Sequence, residues 1–237
     1  MQGAGFSGEN KEPGSIHRFF EYLGLVFFPM VILYILGSSG LALVNGNHWV
    51  LFTFAIALGL LGADMISGFV HWFCDTYGNE NTPVLGKSII RDFRMHHIYP
   101  KDITVHDFVY TNGNTFLFGL VFITPVILLL NAIETIPAKG FTFFTAITSF
   151  FGCAANMVHK WAHNAPEINS GLVRFLQKHH LVLNPGHHAR HHKAPYDIHY
   201  NITFGWLNPL LDKFRFWDVL EGLFNFFGLK RDDSDTR

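Results

Sequence analysis

From position 22 to position 63 the chain carries no Asp, Glu, Lys or Arg, and two more charge-free stretches cover 108–133 and 140–159. A bilayer core takes about 20 apolar residues of helix per crossing, so the first stretch holds two crossings. The turn signal Asn45-Gly46-Asn47 divides them. The pattern predicts four spans, at 22–44, 49–71, 115–133 and 140–159. Trp49 and Trp72 suit the two interfaces of the second, and Pro125 marks a kink in the third. Residues 1–20 read as a loose polar tail ahead of one domain over 21–237. The first span is too long for a cleaved signal peptide and has no basic leader directly before it. The apolar stretch 207–229 is interrupted by Asp212, Lys213, Arg215, Asp218 and Glu221, too many charges to cross a bilayer. It reads as an amphipathic helix, either in the membrane interface or packed on the polar part of the protein. The predicted class is an all-α membrane protein with about four transmembrane helices and a cytosolic His-rich helical cap.

Charge sets the expected orientation. Of the 17 lysines and arginines, all but Lys139 fall in the N-terminal tail, the loop between spans two and three, or the region after span four. The positive-inside rule then puts both termini and the long loop in the cytoplasm. A formal net charge of −1 and a pI near 6.9 argue against nucleic acid as a partner. Two cysteines, Cys74 and Cys153, are too few for a disulfide framework or a Cys-based zinc site.

The unusual count is 15 histidines. All but His17 and His48 lie at the cytoplasmic ends of spans two and four or in the two cytoplasmic segments. His159 and His163 are one helical turn apart, as are His71 and Asp75. His188, His191 and His192 follow at i, i+3 and i+4, His96 and His97 are adjacent, and His106 follows them. Imidazole suits iron, zinc, copper and nickel, and this many rings suggests two metals. A redox metal would suit oxygen activation against a lipid chain, whereas zinc would suit hydrolysis. The expected ligands are His71, His96, His97, His106, His159, His163, His180, His187, His188, His191 and His192. His179 and His199 are left open. Asp64, Asp75 and Asn156 lie on the same helical faces and are expected to orient ligand imidazoles from behind.

These residues give the chain a family resemblance. It resembles the plasmanylethanolamine desaturase family, also called the Kua or lipid desaturase family, over about residues 60–225. The matching stretches include Ser67-Gly-Phe-Val-His71-Trp72, Phe93-Arg94-Met-His96-His97, Thr111-Asn-Gly113, His159-Lys-Trp-Ala-His163, His187-His188-Ala-Arg-His191-His192 and Ile202-Thr-Phe-Gly-Trp-Leu-Asn208. Ala162 and His179 depart from the family pattern, which has Ser and Trp there, and neither departure removes an expected ligand. The resemblance implies a membrane desaturase with a histidine-bound di-iron centre (two irons per chain) that uses O2. It further implies electrons from an external donor of cytochrome b5 or ferredoxin type. The leading substrate is a 1-O-alkyl ether phospholipid, converted to the vinyl ether of a plasmalogen.

Other classes remain to be separated. An acyl-lipid desaturase or hydroxylase would carry a similar site. A metal transporter would keep its ligands near the bilayer midplane, and a non-catalytic scaffold would hold no iron. Lifting a lipid chain into water costs about 0.8 kcal/mol per methylene, so the substrate is expected to enter sideways from the bilayer. A short cleft between spans two and four is expected, lined by Phe69, Trp72 and Trp161, with Lys or Arg at its mouth. The membrane would be the endoplasmic reticulum in a eukaryote and the inner membrane in a bacterium.

Overall fold

A computed structural model describes residues 14–83 and 85–232. Every regular element among the described residues is helical. Four helices are long and apolar enough to cross a membrane: Ser15–Asn45, Trp49–Thr76, Phe108–Asn131 and Ile136–His163. They match the predicted spans in number and order and suggest a membrane protein. Four of their eight ends run past the charge-free windows, because helical hydrogen bonding continues beyond the apolar residues to take in Arg18, Asp75 and Lys160. The first helix thereby takes in residues 15–20, assigned above to the loose tail, while residues 1–13 lie outside the described residues.

The chain divides into two compact units. Of the described residues, the first takes in 14–64 and 107–157, the second 65–106 and 158–232. In the first unit, Ser15–Asn45 packs against Phe108–Phe118 and Ile136–Cys153. Phe28, Ile32, Ile35, Phe116, Ile127 and Ala146 form its buried centre. Gly24 permits a close helix crossing, since a Cβ there would stand 2.5 Å from the backbone nitrogen of Leu117. Small residues serve such crossings in lipid, where packing replaces the hydrophobic effect between helices. The kink expected at Pro125 takes the form of a π-helical turn, Gly119–Ile123, just before it. Proline has no N–H to give the preceding turn, which widens in response.

The second unit carries the chemistry. It contains the last turns of the second and fourth spans, the short helices Arg91–Ile98, Gly171–Lys178 and Pro185–His191, and the helices Asn208–Lys213 and Phe216–Phe226. Asn184 caps Pro185–His191 by accepting from the Gly186 amide at 2.8 Å, with proline at the first helical position. The apolar stretch at 207–229 is two helices, broken at Arg215, whose φ is +50°. Trp217 is buried against Trp72 and Tyr200.

Candidate metal centre

Helical spacing sorts the histidines into two groups. Residues four apart share a helix face, whereas neighbours diverge by about 100°. His159 and His163, and likewise His188 and His192, therefore point the same way. With His96 they make a first cluster of five imidazoles. His71 and Asp75, also four apart, join His97 and His191 in a second cluster. The adjacent pairs His96-His97 and His191-His192 each send one ring to either cluster. In each cluster the donor atoms all lie within 4.8 Å of one another.

The contacts within the first cluster are too many for hydrogen bonds. His188 Nε2 stands 2.7 Å from His159 Nε2, 2.7 Å from His163 Nε2 and 2.9 Å from His192 Nε2. His163 Nε2 is also 2.8 Å from His96 Nε2 and 3.2 Å from His159 Nε2. A ring nitrogen carries one proton or one lone pair, so no placement of protons satisfies this convergence. In the second cluster His97 and His191 bring their Nε2 atoms to 2.8 Å. Asp75 Oδ2 lies 3.3 Å from His71 Nε2, 3.6 Å from His97 Nε2 and 3.5 Å from His191 Nε2. His71 Nε2 and both Asp75 oxygens are buried without a hydrogen-bond partner. Donors about 2.1 Å from a shared first-row metal stand about 3 Å apart at adjacent coordination corners. The donor sets fit one cation each.

Burial keeps the rings in the state that binds metal. His96 and His188 are held well below the ordinary imidazole range, first by burial and then by neighbouring imidazoles. Burial and His191 push His97 down to about 2 and His192 to about 3. These rings are neutral at cellular pH, with lone pairs available.

A family model for the lipid desaturase domain matches residues 60–232, a span that holds both clusters. The chain belongs to the lipid desaturase family. This lipid desaturase family member is 44% identical over 179 residues to plasmanylethanolamine desaturase of Myxococcus xanthus, covering 74% of this chain and 60% of that protein. It is 38% identical over 192 residues to mouse plasmanylethanolamine desaturase 1, covering 77% and 68%. It is 34% identical over 168 residues to chloroplastic fatty acid desaturase 4 of Arabidopsis thaliana, covering 71% and 50%. The match thus spans about half to two thirds of these relatives' own lengths. No solved structure matches the family member significantly.

Eight of the eleven histidines expected as ligands are in the clusters; His106, His180 and His187 are not. His106 Nε2 faces Asp102 Oδ2 at 3.2 Å. His187 is one residue from His188 and so turns away, its ring stacked on that of His199 at 5.4 Å, with the His180 ring 5.5 Å from it. His199 Nδ1 lies 2.6 Å from Asp212 Oδ2. Asp75, expected behind an imidazole, stands among the donors instead. Asp64 is fully buried but outside both clusters, and Asn156 donates to the Thr111 carbonyl at 3.3 Å. Trp72 is 1% exposed and belongs to the aromatic core, so it cannot line an open cleft. Phe69 is 40% exposed and Trp161 is half-buried.

The orienting groups that sequence reasoning missed are backbone carbonyls. His71 Nδ1 donates to the Tyr200 carbonyl at 2.9 Å, and His191 Nδ1 donates to that of Ile198 at 2.8 Å, which leaves each Nε2 for the cluster. The extended segment that supplies these carbonyls is pinned on both sides. Ser67 Oγ accepts from the amides of Ile202 and Thr203, and the Asn208 side chain bonds both the N–H and the carbonyl of Asn201. Two lysines brace the loop before the third span: Lys101 donates to the His163 carbonyl, and Lys160 to that of His106. Tyr196 lies face to face on His97, with ring centres 4.7 Å apart and planes 6° apart.

Gly68 lets the pinned segment approach. A Cβ there would stand 2.1 Å from Asn201 Oδ1. Gly68→Ala is therefore expected to shift the Tyr200 carbonyl and weaken metal retention by about 10–100-fold, as loss of orienting partners does. Metal loss against a graded series of chelator concentrations measures it. Wild-type retention in Gly68→Ala would remove the carbonyl from the account of the site.

Proposed function

We propose that this chain is an O2-dependent lipid desaturase that holds two irons, one in each cluster. The observation that supports it best is the pair of adjacent, buried, imidazole-rich donor sets in a chain of the lipid desaturase family. When bound, the metals supply activation of O2 and one-electron redox steps. The balance is one lipid –CH2–CH2–, one O2, two electrons and two protons giving –CH=CH– and two waters. The electrons come from an external protein donor of cytochrome b5 or ferredoxin type.

The chain's own residues do the rest. Eight imidazoles and one carboxylate would give the two cations at most a single formal negative charge from the protein. The Tyr200 and Ile198 carbonyls fix the tautomers of His71 and His191. Burial would keep bulk water, and the side reactions it allows, away from the site. Phe69, exposed on the last turns of the second span, and half-buried Trp161, two residues before His163, are the lipid-facing candidates.

The favoured substrate is a 1-O-alkyl ether phospholipid, desaturated to the 1-O-alk-1'-enyl product. Two relatives carry the name plasmanylethanolamine desaturase, and four of the donors, His71, Asp75, His159 and His163, sit in the last turns of the second and fourth apolar helices, a depth that suits carbons beside the glycerol. The alternative is desaturation within an acyl chain, since another relative is named a fatty acid desaturase. The distribution of lysine and arginine supports both termini and the site on the cytoplasmic side, in the endoplasmic reticulum of a eukaryote or the inner membrane of a bacterium. Expression in cells fed an alkylglycerol, followed by lipid mass spectrometry, is the test. Acid-labile vinyl ethers are expected. New acyl double bonds without vinyl ethers would assign the alternative, and an unchanged lipid profile in donor-competent cells would overturn the desaturase reading.

A further inference from the structure

The C-terminal helix Phe216–Phe226 has more apolar surface than its packing uses. Its inner face is Trp217, Leu220 and Phe224, which meet Trp72, Phe73 and Tyr77 of the second unit. A second stripe, Val219, Leu223 and Phe226, is 69%, 50% and 83% exposed. Phe214 and Phe227 extend it beyond both helix ends at 67% and 77% exposure. At about 100° per residue, the inner and outer stripes fall side by side on one half of the helix. Asp218, Glu221, Gly222 and Asn225 share the other half. A helix bathed in water on its free side would invert this order. One that lies flat, with a packed flank, an apolar underside and a polar top, matches an interfacial helix.

The depth of its seat supports the same occupant. Trp49–Thr76 has 28 residues, about 42 Å of helix against a hydrocarbon core of about 30 Å. About four residues at each end therefore stand in the headgroup layer. Trp72, Phe73 and Tyr77, on which the C-terminal helix sits, straddle that boundary. Basic residues flank the stripe at both ends: Lys213 and Arg215 before it, Lys230 and Arg231 after it, with Arg215 paired to Asp218 at 2.7 Å and Arg231 to Glu221 at 3.3 Å. That is the charge that phosphate headgroups attract.

We infer that the exposed stripe of Phe216–Phe226 is a membrane-docking surface, inserted at the boundary between headgroups and acyl chains. The inference rests on the four spans and on this helix, not on the chemistry proposed above. Docking would also bear on the site. Trp217 packs 5.2 Å from the Tyr200 ring, and the Tyr200 carbonyl holds His71. The helix would then fix the height of the second cluster against the headgroups.

The test uses the full chain in phosphatidylcholine–phosphatidylglycerol vesicles. Single cysteines at Val219, Leu223, Phe226 and, as polar-side controls, Gly222 and Asn225 are labelled with an environment-sensitive fluorophore. The unsubstituted protein, whose Cys74 and Cys153 are both buried, sets the background. Two quenchers are compared, a nitroxide carried high on a lipid acyl chain and aqueous iodide. Labels at 219, 223 and 226 are expected about 5–10 Å below the phosphates, quenched by the lipid nitroxide and shielded from iodide, with the reverse at 222 and 225. Iodide quenching at all five positions would overturn the inference in favour of a water-facing helix. Shielding of the stripe from both quenchers would overturn it in favour of a protein partner or a second copy.

Discussion

His188→Ala is expected to reduce desaturation at least about a hundredfold, more than the loss of an orienting partner costs, while leaving expression and membrane insertion intact. Its Nε2 lies within 2.9 Å of three other donor nitrogens, those of His159, His163 and His192. Removing it opens the most crowded part of the first cluster. The residue belongs to none of the four apolar helices, so the substitution costs no spanning segment. His163→Ala, His191→Ala and His192→Ala should behave alike, since each also removes one donor. His48→Ala supplies the contrast. His48 lies between the first two spans and outside both clusters, and product formation should match wild type. Equal damage from His48→Ala and His188→Ala in the lipid assay would contradict either the ligand assignment or the order of the spans.

Asp75→Ala is expected to do similar damage for a different reason. Asp75 is the single carboxylate in the two donor sets, and its Oδ2 faces three imidazole nitrogens at 3.3–3.6 Å. A carboxylate that only steadied an imidazole could be lost at about 10–100-fold in activity. One that binds metal takes a ligand and a negative charge with it. The variant should lose the metal of the second cluster and keep that of the first, with product at background. Asp75→Ala protein that retained full metal content and only slowed would return Asp75 to the orienting role expected from the sequence.

The four apolar helices were legible because long charge-free windows, at 22–63, 108–133 and 140–159, mark segments suited to a bilayer, which excludes charge. Helix ends were less so: hydrogen bonding carries the helices on past the apolar windows, to Ser15 at one end and Thr76 at another. The expected ligand set coincides with the clusters where spacing determines direction. His159 with His163, and His188 with His192, share a face on any helix. His187, where a one-residue step from His188 rotates the ring away, lies outside the clusters, as do His106 and His180. The division into two clusters could not be read, because it depends on how separate helices meet. The Tyr200 and Ile198 carbonyls were invisible, since any residue has one. The neighbouring signals were present, however: Gly68 beside Ser67, and Asn208 closing the stretch from 202.

The central claim is that each cluster holds one iron. Elemental mass spectrometry on purified protein, scaled to protein concentration, tests it most directly when wild type is compared with Asp75→Ala and His188→Ala. About two irons per chain are expected in the wild type and about one in each variant, the loss falling on a different cluster in each case. Zinc at full occupancy in an active wild-type preparation, with iron absent, would contradict the claim, as would an iron content that neither substitution changes.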